Sequence, residues 1–257
     1  MAILCMGALA SAGTVTLTGT CTSSPMNTVV LNISNSGTES ATNMNVVAKF
    51  IGISLGNSIV SYPKVSPGSY FITTYTVQNA TEPGTYAGAF VANYSQGESN
   101  FSAVFPCIVN TGAGTRSSVY FSNVSARPGK LTAYISNNGS YGQDLALNWL
   151  LPSGFSTDPN ETGLTIAGNS MANYTFSIYG PVMNSSTYVI AAALSYSYGG
   201  LHYASIYTFT LGGANVSAPA GSSLAQLIPL VFIGAVIVAI LALIAYSVLR
   251  KGRGSNA

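Results

Sequence analysis

Asparagines standing two residues ahead of a serine or threonine carry most of the covalent chemistry this chain offers. They are Asn32, Asn79, Asn93, Asn100, Asn123, Asn138, Asn160, Asn173, Asn184 and Asn215. Each is an acceptor triplet for an N-linked glycan, a bulky, solubilising group of exported surfaces. This composition yields about four to five such triplets by chance, roughly half the number present. An Asn-, Ser- and Thr-rich surface also makes such triplets by accident, and an inward-facing asparagine is unusable.

Other reactive side chains are few and dispersed. His202 is the only histidine and lies in an alternating stretch, GLHYASIY, so it reads as a strand residue rather than a general base. The acids Glu39, Glu82, Glu98, Asp144, Asp158 and Glu161 are scattered over turn-like segments. They form no carboxylate pair, and no GxSxG, HExxH or phosphate-loop pattern occurs. One histidine and a pair of cysteines do not make a metal site. The expectation is a protein that is not an enzyme, with no catalytic, cofactor-binding or metal residues and no cofactor.

Charge is sparse, at 5% of residues, where roughly a quarter is typical. Arg250, Lys251 and Arg253 are three of the eight cations, which leaves five against six acids over residues 1–249, a balance of −1. The net +2 therefore describes a tail, and no nucleic-acid surface is expected. Scarce carboxylates also suit acidic surroundings, because few native carboxylates stand to lose a stabilising role on protonation.

Residues 224–249, LAQLIPLVFIGAVIVAILALIAYSVL, carry no charge. Leu227 to Leu249 would span about 35 Å as a helix, enough for a hydrocarbon core of roughly 30 Å. The cations that follow place the tail, 250–257, in the cytoplasm and the rest outside. Within the span, Ala235, Ala239, Ala242 and Ala245 share one helix face, which permits homo-oligomers. At the other end, 1–12 reads as a signal peptide closing on Ala10-Ser11-Ala12, although it lacks a basic start; a first apolar strand is the alternative. Cleavage there removes Cys5 and leaves Cys21 and Cys107 as an even pair. Closing their loop stabilises by about 4 to 5 kcal/mol in the chain-entropy model; two unpaired buried thiols are the other reading.

Between these ends the chain repeats itself. LNISNSGT (31–38) returns as AYISNNGS (133–140), and TYAGAFVANYSQG (85–97) as TYVIAAALSYSYG (187–199). Asn35 maps to Asn137, Gly37 to Gly139, Tyr86 to Tyr188 and Tyr94 to Tyr196, while Gly68 is matched to Gly168. Asn138-Gly139 reads as a turn entered with positive φ. A period near 100 residues, filled with short alternating runs and Gly/Pro/Asn turns, is that of an Ig-type sandwich. Tyr86 and Tyr188 fall where a tyrosine corner would lie, and Trp149 where strand C carries its core aromatic. The expected fold is all-β: sandwich 1 over 13–112, sandwich 2 over 113–211, a flexible linker over 212–223, and the membrane helix.

NISNSGTESATNMNV followed by VSPGS and EPGTY, echoed by ISNNGS, AGNS and SSTY, resembles the Ig-like repeats of archaeal surface proteins, the CARDB-like and S-layer-associated class. The second copy lacks the glycine before Thr187. The resemblance implies spacers, adhesive modules or envelope components, with no catalytic residues to carry over. The function expected is a membrane-anchored, glycosylated structural component of the cell envelope. Its partners would be the lipid bilayer and other surface proteins or glycans, with no nucleic acid. An adhesin or receptor for protein or glycan partners and an archaeal virus envelope protein are the alternatives.

Overall fold

Alternating sequences of this kind fold into strands because every second side chain can be buried while the backbone pairs sideways. The computed structural model describes residues 13–24, 27–112, 114–181 and 187–212, and all their regular elements are strands. The first eight are β1 (Leu17–Ser24), β2 (Thr28–Asn35), β3 (Ala41–Phe50), β4 (Ser54–Leu55), β5 (Ile59–Val65), β6 (Tyr70–Gln78), β7 (Gly84–Gln96) and β8 (Ser99–Thr111). The next eight repeat them: β9 (Val119–Arg127), β10 (Lys130–Asn137), β11 (Gln143–Leu150), β12 (Ser156–Asp158), β13 (Glu161–Ile166), β14 (Ser170–Tyr179), β15 (Thr187–Tyr198) and β16 (Leu201–Gly212). The expected leader (1–12), membrane helix (224–249) and tail (250–257), with Arg250, Lys251 and Arg253, lie outside the described residues. So does the expected linker, apart from Gly212. No helix long and apolar enough to cross a membrane occurs among the described residues.

Each set folds into two facing sheets. In the first, the order β1-β2-β6-β4 faces β5-β3-β7-β8; in the second, β9-β10-β14-β12 faces β13-β11-β15-β16. Val29, Leu31 and Ile33, alternate residues of β2, point into the first core with Tyr75, Tyr86 and Phe90. Leu131, Ala133 and Ile135 of β10 do the same in the second, beside Trp149 and Phe176. Each of the valine, leucine and isoleucine side chains contributes about 1.5–3 kcal/mol on full burial.

A third core joins the two sandwiches. Ala87, Ala89 and Val91 of β7 meet Ala191 and Ala193 of β15, with Val104, Leu150 and Ala204 completing it. These residues point opposite to Tyr86, Phe90 and Ala92, so the middle of β7 is buried on both faces. Small side chains let two sheets approach closely here. The sheets also touch edge to edge, through one parallel bridge between Gly84 and His202. Both sandwiches belong to a single compact unit.

The repeated ISN-x-G phrase has a physical content that positive φ does not describe. Neither Asn138 nor Gly139 has positive φ; the residue that matters is the asparagine before them, buried in both copies. Asn35 Nδ2 donates to the carbonyls of Glu39 (2.7 Å) and Val65 (3.0 Å), while its Oδ1 accepts from Gly37 N–H (3.0 Å). Asn137 repeats all of this with Tyr141 (2.9 Å), Ala167 (3.1 Å) and Gly139 (2.9 Å). One amide thus holds its own turn and the loop that carries the chain across from β5 to β6, or from β13 to β14. The match of Gly68 with Gly168 is corrected by one position: the paired turns place Gly68 (φ 70°) opposite Asn169 (φ 50°), and both residue types tolerate the left-handed region.

Candidate functional site

His202 is consumed by structure. Its ring stacks on Tyr86 with centroids 3.8 Å apart, its Nδ1 lies 2.8 Å from the Thr85 carbonyl, and its N–H donates to the Pro83 carbonyl at 3.0 Å. Tyr86 in turn donates its hydroxyl to the Glu82 carbonyl at 2.6 Å, closing the tyrosine corner expected there. Tyr188 instead packs edge-on against Phe155. The connection between the sandwiches is pinned at the same place. Thr85 and Thr115 exchange N–H to hydroxyl bonds (3.1 and 2.9 Å), and the Thr115 hydroxyl donates to the His202 carbonyl (2.6 Å).

The six acids do not converge. Glu39, Glu98, Asp144, Asp158 and Glu161 are exposed and Glu82 is half-buried. No group of three metal-ligating side chains occurs among the described residues. Cys21 and Cys107 are joined in a disulfide, Cα atoms 5.5 Å apart, tying the free edge of β1 to the free edge of β8 in the opposite sheet. By strand register the equivalent places in the second sandwich are Val124 and Phe209, and Phe209 packs edge-on against Trp149. An aromatic contact occupies the second sandwich where the first has a covalent staple.

The glycan acceptor positions fall into physical classes. Asn32 and Asn93 are half-buried, with Oδ1 atoms shut off from water. Asn79 and Asn138 are exposed, but their Nδ2 atoms donate to Ser54 Oγ (2.9 Å) and Tyr120 OH (3.1 Å). Asn100, Asn123, Asn160 and Asn173 are exposed and open at that nitrogen. Asn123 and Asn173 sit opposite Tyr134 from either side, on neighbouring strands of one sheet. Asn184 and Asn215 lie outside the described residues.

A cleft of about 690 Å³ opens where the sandwiches diverge beyond the third core. One wall is the far end of the β7–β8 hairpin, with Asn93, Ser95, Asn100 and Ser102; the other carries Pro152, Ser153, Phe155 and Tyr188. Ser153 N–H donates to Ser102 Oγ at 3.0 Å across the gap. Phe155 and Tyr188 meet edge to face at 4.6 Å. Tyr94 lines the same space, and burial pushes its phenol above the usual range. No charged side chain lines it.

Sequence reasoning did not find this cleft. A usable signal was present in GTYAGAFVANYS, which is apolar at both parities through Val91 and then turns polar at Asn93 and Ser95. Apolarity at both parities marks a strand buried on two faces. The switch marks where the second cover ends.

No known protein family matches the chain, and no curated protein matches it. Among solved structures it is similar to the CsuC–CsuE chaperone–tip adhesion subunit pre-assembly complex of Acinetobacter baumannii Csu pili. That match has 12% identity and a TM-score of 0.31, over 76% of this chain and 97% of that one. It is also similar to trypsin-activated alpha-2-macroglobulin of Escherichia coli, at 10% identity and TM-score 0.31, over 78% of this chain and 18% of that one. The CupB2 chaperone of Pseudomonas aeruginosa matches at 11% identity and TM-score 0.29, over 72% and 93%. Likenesses this distant transfer no function.

Proposed function

We propose that the chain is a non-catalytic, membrane-anchored, glycosylated component of an extracellular cell envelope, of the kind implied by its resemblance to S-layer-associated repeats. The observation that carries this reading is the third core. Two sandwiches fastened back to back by Ala87, Ala89, Val91, Ala191 and Ala193 make a stiff block, which suits a load-bearing surface subunit better than a pliant tether. The spending of His202 on packing and the dispersal of the carboxylates support a role without catalysis. Partners in this reading are the lipid bilayer through 224–249, like copies through the small-residue helix face, and neighbouring envelope proteins or glycans.

Immunogold imaging of isolated native envelopes tests it. A dense, regular label is the expected result. Sparse label, with purified protein adhering to cells, would replace this reading with an adhesin or receptor, a role favoured by the uncharged cleft. Label confined to virus particles would assign the chain to a viral envelope.

A further inference from the structure

We propose that the cleft between the sandwiches is a binding subsite for a neutral saccharide unit presented by another molecule. The inference stands on the cleft itself and is independent of the envelope assignment. Its volume, about 690 Å³, is within the range of small-ligand sites. Its two walls differ in chemistry in the way a sugar's own surfaces differ.

The polar wall follows from strand register. On the outward face of β7, Val91 pairs with Val104, Asn93 with Ser102, and Ser95 with Asn100. The valines belong to the third core; the amides and hydroxyls beyond them line the open space. Neutral amides and hydroxyls both donate and accept, which matches sugar hydroxyls that do the same. Facing them, the edge-to-face pair Phe155 and Tyr188 supplies a surface for the apolar C–H face of a pyranose ring.

Asn93 adds an acceptor in waiting. It lines the cleft, yet its Oδ1 is turned away from water and has no donor. Buried polar atoms without a partner are few in native proteins. No protein hydrogen bond holds that oxygen inward, and the terminal torsion of asparagine is soft. Rotation toward the cleft offers it to a ligand hydroxyl. The absence of charge from the lining removes the paired contacts on which carboxylate and phosphate recognition depends. Attachment of the chain's own glycan at Asn100 would use up one of the wall amides, so a sugar brought by another molecule requires Asn100 itself to be unmodified, with any glycans of the chain at its other acceptor sites.

The experiment uses the full chain in detergent micelles, produced in a host without N-glycosylation. Isothermal titration is run against neutral oligosaccharides of glucose, galactose, mannose and N-acetylglucosamine, with a sialylated oligosaccharide as the charged control. Saturable binding to at least one neutral sugar is expected, weakened at least tenfold in Asn93→Leu and in Phe155→Ala. Ser102→Val, a smaller change on the same wall, should weaken it several-fold with an unchanged melting temperature. The proposal is overturned if no neutral sugar saturates, if only the sialylated one binds, or if Asn93→Leu and Ser102→Val bind as the parent does. It is equally overturned if mass spectrometry of the native chain finds Asn100 occupied by a glycan.

Discussion

His202 lies flat on Tyr86, with 9° between the ring planes and 3.8 Å between centroids. A residue of the second sandwich thereby caps the tyrosine corner of the first. Corner, stack and the Thr85–Thr115 exchange occupy one spot, which is where the sandwiches are locked.

Removing this stack should uncouple the halves. His202→Ala deletes the ring contact and the side-chain bond to Thr85 while keeping the main-chain bridge to Pro83. The expected cost is about 2–3 kcal/mol, and a single urea transition should broaden or split. Gly84→Ala should be worse, because its Cβ would sit 2.1 Å from the His202 carbonyl oxygen, at a backbone φ of 146° that disfavours side chains. Fluorescence at Trp149, in the second sandwich, compared with circular dichroism of the whole would reveal the split. Coincident, unshifted transitions would refute the lock.

The paired asparagines make a sharper test, since neighbours of the same type should behave oppositely. Asn137→Ala leaves the Tyr141 and Ala167 carbonyls and the Gly139 N–H without their partner, at an expected cost of about 2–4 kcal/mol. Asn138→Ala, at an exposed position, should change stability by less than about 0.5 kcal/mol. Asn35→Ala should behave like Asn137→Ala. Chemical denaturation of the three variants decides it.

Reduction of the Cys21–Cys107 bond should weaken the first sandwich selectively. The bond spans 86 residues, for which the chain-entropy model gives about 4 to 5 kcal/mol. Hydrogen exchange with and without reductant should show faster opening of β1 and β8 while β9 to β16 change less. Uniform acceleration would mean that the two halves open as one.

The two ends of the pH scale should behave differently. Five of the six acids are exposed and only Glu82 is half-buried, with its Oε2 shut off from water, so the chain is expected to keep its fold from pH 7 down to pH 2; cooperative unfolding over that interval would contradict this. At high pH the fold should weaken. Burial pushes the Tyr75 phenol from 10.0 up to about 12, tempered by Thr73. The unfolded chain therefore loses its proton first, and stability present below pH 10 falls between pH 10 and 12. The expected loss from this residue is on the order of 2 kcal/mol. Tyr75→Phe should flatten that slope.

Much of the β architecture was legible because it rests on local rules. Alternation in TVVLNIS marks β2, and a turn residue after each run marks where strands stop. Tyr86 was readable as a corner because its position at the head of a long strand leaves few other roles. The phrase was misread at Asn138-Gly139, expected to enter its turn with positive φ, and the part played by Asn35 and Asn137 went unseen, since their burial depends on loops 30 residues away that a short phrase does not contain. The cleft was missed for the same reason. Asn93 and Phe155 lie on different sandwiches, and only the Ala-rich seam decides that they face one space.

That seam changes what counts as a part. A fragment ending after β8 would turn Ala87, Ala89 and Val91 out to solvent, and one beginning at β9 would do the same to Ala191 and Ala193. Neither half is a transplantable unit, despite its own filled interior. The seven residues from 112 to 118 are correspondingly a measured strap: lengthening or shortening them should mis-seat Thr115 against Thr85, whereas the hairpin ends at Gly97 and Gly199 remain open to insertion. Two copies of one sandwich plan thus make a single indivisible building block.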